Sequence, residues 1–104
     1  MNIKKMMQQA QKMQEQMLKA QEDLSKKTVT ATAGGGKVTV VANGGGDVLS
    51  IKISPEVVDP QDIEMLEEVV LTAVRKAIEE GRALASSEMG KLTGGMGLPP
   101  GLGF

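Results

Sequence analysis

The residues best placed to do chemistry are Gly34-Gly35-Gly36-Lys37, a glycine run closed by a lysine. Such a run cradles phosphates when its backbone N–H groups point inward and its lysine reaches the terminal phosphates. That loop requires a glycine, four residues, then Gly-Lys-Ser/Thr, set between a strand and a helix. Here Ala31 holds the first glycine position, and Val38 stands where a magnesium-binding hydroxyl belongs. A strand-like segment follows, so no helix N-terminus would face a phosphate. The glycines read as a hairpin turn. Other catalytic sets fail as well. Glu67-Glu68 and Glu79-Glu80 are adjacent on a helical stretch, where neighbouring side chains diverge by about 100° and cannot converge on one substrate. Ser86-Ser87 has no base to activate it, because the chain has 0 His and 0 Cys. The same absence removes the commonest metal ligands and any disulfide. We expect no enzyme, no cofactor, no metal and no small-molecule substrate.

What remains is charge. Lys5, Lys12, Lys19 and Lys26 recur every seven residues. The net charge is only −1, but it is unevenly spread. Residues 1–27 hold six lysines against Glu15, Glu22 and Asp23, whereas residues 60–89 hold seven acids against Arg75, Lys76 and Arg82. A lysine stripe on a helix is commonly a solvated face. It can also be a cationic ridge for a phosphate backbone. Gln8, Gln11 and Gln14 could touch groove edges, although surface Gln is generally just solvated. With Phe104 the one aromatic, stacking on bases is excluded, so backbone contacts would dominate.

The elements that must position these lysines are legible. Residues 2–27 lack Gly and Pro and are rich in Gln, Met, Lys and Glu, all helix formers. Ile3, Met6, Ala10, Met13, Met17, Ala20 and Leu24 are spaced alternately by three and four, a heptad seam. With Ile3 at position a, the four lysines fall at c, about 130° from the seam centre. Three strand-like segments follow, Thr28–Ala33, Lys37–Ala42 and Val48–Ile53. Their period of two sets Val38, Val40 and Ala42 on one face, and Leu49, Ile51 and Ile53 on another. The glycine triplets and Asn43-Gly44 separate them as turns. A second helix opens at Asp59-Pro60-Gln61-Asp62, with Asp59 as the expected N-cap and Pro60 the first helical position. Its seam is Ile63, Leu66, Val70, Ala73, Ala77 and Leu84, widened by Val69, Val74 and Ile78, and it should end near Met89 or Leu92.

The 104 residues make one domain, 1–92, followed by a Gly/Pro-rich tail, 93–104, expected to be mobile. Three short strands with small apolar side chains cannot make a large core, so a symmetric homodimer with contacts in the strand region is expected. No apolar run reaches membrane-spanning length and no signal-peptide core opens the chain, which leads to the expectation of a cytoplasmic protein with no membrane partner.

Read as a whole, the chain resembles the YbaB/EbfC family of bacterial nucleoid-associated proteins. The likeness is carried by "KMMQQAQKMQEQMLKAQEDL", "AGGGKVTV", "ISPEVVDPQDIEMLEEVV" and "TGGMGLPPG", in order from end to end. It implies an α+β fold: an N-terminal helix, a three-stranded antiparallel β-sheet and a C-terminal helix, in a homodimer with projecting helices. It also implies double-stranded DNA as partner, the nucleoid as location, and in some bacteria an effect on gene expression. DNA contact would fall on the projecting helices, here Lys5, Lys12, Lys19 and Lys26, with Arg75, Lys76 and Arg82 on the second helix. The acidic pair Glu79-Glu80 close by ranks the second helix behind the first. The competing reading is a prefoldin-like or other protein-interaction module, in which the apolar seam of the first helix grips a client.

Overall fold

The computed structural model describes residues 2–95. Helix α1 (Ile3–Lys26) is followed by strands β1 (Thr28–Ala33), β2 (Val38–Asn43) and β3 (Val48–Ile53). A single 3-10 turn (Pro55–Val57) leads to helix α2 (Ile63–Gly95). The architecture is the expected α+β arrangement. Asn2 caps α1, its side chain accepting from the Lys5 N–H, and the Lys27 N–H closes the other end on the carbonyls of Asp23 and Leu24.

The sheet is antiparallel in the order β1-β2-β3. Gly34, Gly35 and Gly36 turn β1 into β2 with φ of 63°, 66° and 85°, a backbone that side chains with a Cβ rarely adopt. The glycine run is therefore a hairpin turn, and the Lys37 ammonium is paired with the Glu56 carboxylate. Between β2 and β3 the register slips at Val41/Ala42, where Ser50 faces Val41 but Val48 faces Ala42. Leu49 is thus the extra residue of a β-bulge.

α2 lies across β1 and β2. Its Ala73 and Ala77 pack on Ala31, Ala33, Val38, Val40 and Ala42, with Val29, Val57, Val69, Val70 and Val74 partly buried around them. Five alanines and two valines make up this core, and small side chains let helix and sheet approach closely. Gly81 shows how closely: a Cβ there would stand 2.7 Å from the Asn43 carbonyl oxygen. The other face of the sheet carries Thr30, Thr32, Thr39, Ser50 and Lys52, by alternation.

Three expectations change. Ile51, on the apolar face expected of β3, is 45% exposed in the single chain, and all six residues of β3 are exposed. The reason is geometric, since α2 covers the first two strands and leaves β3 as a bare edge. The α2 cap is Asp62 and not Asp59. The Asp62 carboxylate accepts from the Met65 N–H at 3.3 Å, while Asp59 holds the preceding turn through the N–H groups of Gln61 and Asp62. Finally, α2 continues to Gly95, past the expected end at Leu92. Extending a helix already formed adds a hydrogen bond per residue, which offsets the cost of glycine at its end. The remainder of the expected tail, 96–104, lies outside the described residues.

Candidate nucleic-acid interface

α1 leaves the body as an arm. Among its described residues only Leu24 is buried and Ala20 half-buried. The molecule measures 72 × 24 × 17 Å as a result. Lys5, Lys12, Lys19 and Lys26 all lie exposed on it. A rise of about 1.5 Å per residue separates successive members by roughly 10.5 Å and the outermost by about 32 Å. That is close to one turn of B-DNA, about 34 Å.

The state of each charge divides the basic residues. None of the four stripe lysines has a carboxylate within ion-pair distance among the described residues. From Asn2 to Gln14 the arm carries Lys4, Lys5 and Lys12 and no acid at all. Of the other lysines, Lys27, Lys37, Lys76 and Lys91 are engaged, whereas Lys4 and Lys52 have no such partner among the described residues. Lys27 binds Glu88 at 2.9 Å, Lys37 binds Glu56, and the Lys76 ammonium reaches the Thr32 carbonyl at 3.5 Å. Arg75 and Arg82 are exposed without an ion pair among the described residues, but helical spacing interposes Glu79 between them. The stripe on α1 and the basic residues of α2 are not brought into one patch. α1 meets α2 in a cleft lined by Ala20, Leu24, Lys27, Glu88 and Leu92. Arg75, Lys76 and Arg82 lie back along α2 toward the sheet.

Two features that sequence reasoning missed hold the arm. The first is the Lys27–Glu88 pair, joined by Lys91 at 3.8 Å. The hydrogen bond from Lys27 holds the Glu88 carboxyl below the usual carboxylate range, against the opposing effect of partial burial, and the charges of Lys27 and Lys91 add to it. The second is Asn43, buried at the end of β2. Its side-chain oxygen accepts from the N–H groups of Gly45 and Asp47 at 3.0 and 2.9 Å, and its amide donates to the Ser25 carbonyl at 3.2 Å. The Gly44 N–H also donates to the Leu24 and Lys27 carbonyls. The orphan carbonyls ending α1 are thereby tied to the β2–β3 turn, and the arm's direction is fixed. In the sequence Asn43 reads only as a turn residue; its contact with Ser25 spans 18 positions and leaves no local signal.

A groove of about 400 Å³ runs between β3 and α2, lined by Ile53, Leu66, Val70, Leu71 and Val74, with Glu67 at its rim. Among the described residues no cluster of His, Cys, Asp or Glu could hold a metal, and no helix is long and apolar enough to cross a membrane.

The sequence pattern of the YbaB/EbfC DNA-binding family matches residues 1–96. The chain belongs to that family. Among its curated relatives, a nucleoid-associated protein of Pelotomaculum thermopropionicum is 51% identical over 98 residues, covering 94% of this chain and 93% of its own. A nucleoid-associated protein of Acetivibrio thermocellus is 52% identical over 101 residues, covering 97% and 89%. An uncharacterized protein of Helicobacter pylori, solved by crystallography, superposes with a TM-score of 0.68 over 86% of this chain and 97% of its own. At 24% identity that match speaks for the fold, and this YbaB/EbfC member shares it.

Proposed function

We propose that this protein is a non-enzymatic, nucleoid-associated DNA-binding protein. It acts as a homodimer that grips the phosphate backbone of double-stranded DNA through the lysine stripe of each α1, and through that binding influences nucleoid organisation and gene expression. The observation that carries the reading is the unpaired state of Lys5, Lys12, Lys19 and Lys26 on a projecting arm, with Lys4 beside them, while Lys27, Lys37 and Lys76 are held by the protein. With a net charge of −1, attraction must come from this local field. Family membership and the naming of relatives point the same way. The exposed apolar groove beside β3 supports the dimer, since such a surface marks an interaction site. Arg75 and Arg82 contribute less, being interleaved with Glu79.

The test is a DNA-binding titration at several salt concentrations with K12Q/K19Q, which keeps helix propensity and removes two charges per chain. Affinity should fall for every DNA sequence. The log–log salt slope should become shallower by roughly 0.9 for each contact removed. The melting temperature should stay in place. Unchanged affinity and slope would remove the stripe from the interface. A second reading, a prefoldin-like clamp, draws on the exposure of Ile3, Met6, Met13 and Met17. It requires that the protein suppress aggregation of an unfolded client without DNA.

A further inference from the structure

The apolar seam of α1 is uncovered from Ile3 to Met17, and Ala20, half-buried, marks where it meets the cleft with α2. Exposure runs from 67% at Ile3 to 40% at Met17. Resting on the dimeric DNA-binding reading above, we propose that this seam docks antiparallel on the α1 seam of a second dimer, joining dimers arm to arm.

Two observations select a second copy of this chain as the occupant. The first is charge. With Ile3 at heptad position a, the positions flanking the seam are Met7, Gln9, Gln14, Gln16, Gln21 and Asp23. Flanking residues face one another across a helix pair, and like charges there repel. Four glutamines, Met7 and a single acid at the arm's base let α1 meet itself without repulsion, while a strongly charged foreign helix would find little counter-charge there. All the arm's lysines sit outside the contact strip, at b and c.

The second observation is size. An antiparallel pair centred between Ala10 and Met13 opposes Ile3 with Ala20, Met6 with Met17, and Ala10 with Met13. Each alanine then faces a large side chain, which fills the layer evenly. A parallel in-register pair would set Ala10 against Ala10 and Ala20 against Ala20, leaving one thin layer between Met6 and Met13 and another between Met17 and Leu24. In the antiparallel register the strip ends at Ala20. Leu24, already buried in its own chain, and the Lys27–Glu88 contact at the arm's base are left undisturbed. Because the lysine stripe lies about 130° from the seam centre, both stripes stay free in the joined arms. Two dimers so joined hold two DNA segments.

The experiment is sedimentation of the full chain, without DNA, across a concentration series. The wild-type protein should pass from two chains to four as concentration rises. M13Q/M17Q preserves length and helix propensity and should remain at two chains throughout. It should keep the helical content and the single-site DNA affinity of the wild type, so that failure here is separable from failure of the DNA-binding reading. The chain has no native cysteine, so mixing Q9C with Q16C under oxidation reads out the register. The antiparallel pair brings these two flanking positions together, and the mixture should cross-link far more than either variant alone. The inference is overturned if the wild type never exceeds two chains, if M13Q/M17Q associates as the wild type does, or if the cross-link forms within a particle of two chains.

Discussion

At the scale of single residues, two glycines of α2 make opposite predictions from the same substitution. Alanine is favoured over glycine in a helix interior by about 1 kcal/mol. At Gly90 an added Cβ meets nothing within 4 Å, so G90A should stabilise the fold by about 0.5–1 kcal/mol in urea melts. At Gly81 the same Cβ would stand 2.7 Å from the Asn43 carbonyl oxygen. That neighbour is backbone and cannot swing away, so G81A should destabilise by about 1–3 kcal/mol despite the better propensity. If both variants gain stability, the close approach of α2 to the end of β2 is wrong. Asn43 should also be costly to change. N43A strips acceptors from the Gly45 and Asp47 N–H groups and a donor from the Ser25 carbonyl. Asn43 is buried while Ser25, Gly45 and Asp47 are exposed, so water can satisfy part of what is lost. A loss of about 1–2 kcal/mol follows, and thermal melts at matched protein concentration would show it. None of these three roles was legible in the sequence. Gly81 and Asn43 look ordinary there because what makes them necessary is a tertiary contact with a distant segment.

At the scale of elements, periodicity carried far. The alternate three-and-four spacing from Ile3 to Leu24 gave α1, and period two with glycine turns gave all three strands. Three things escaped it. An amphipathic pattern says that a face is apolar, not what covers it. The Leu49, Ile51 and Ile53 face and the Met seam therefore read like core but lie exposed in the chain. The cap of α2 was misplaced because Asp59 and Asp62 have the same chemistry three residues apart, and only the turn between them tells which one ends it. The angle between the helices also lay outside any local pattern, since it depends on Lys27 meeting Glu88. Here a pH effect follows. The folded state lowers the Glu88 pKa, so its contribution is present above the ordinary carboxylate range and is lost as pH falls through the lowered value. Protection factors in the last turn of α1, which correct for the intrinsic slowing of amide exchange in acid, should therefore fall on acidification. E88Q should show the lowered protection already at neutral pH and little further change. Equal protection in the two proteins at neutral pH would mean that Leu24 and the Asn43 bonds hold the arm alone.

At the scale of the whole molecule, the dimensions argue for a partner. The radius of gyration is 19.5 Å, against about 13 Å for a compact domain of this length. The core's largest fully buried side chains are two valines, and a core so small leaves a lone chain marginal. The apolar surface that could make up the deficit is the β3 edge with Leu66, Val70, Leu71 and Val74 across the groove. Each large side chain covered there would add roughly 1.5–3 kcal/mol. I51D places a charge in that surface and should split the proposed dimer, because an unpaired carboxylate would be buried in that assembly. L71D does the same from the helix side and guards against the case in which I51D fails to fold. Leu71 is exposed in the chain, so the substitution leaves the core of Val38, Val40 and Ala77 untouched. Dimerisation and DNA binding are then linked by valence. If the dimer presents two lysine stripes to one duplex, a monomer engages half as many phosphates. Its log–log salt slope should fall to about half that of the dimer, and its affinity at low salt should drop by much more than two-fold. Sedimentation fixes the oligomeric state, and the salt titration reads the number of contacts on the same samples. A variant that stays dimeric with a charge at both Ile51 and Leu71 would move the interface away from the groove. A monomeric L71D that kept the wild-type slope would show that one arm carries all the DNA contact.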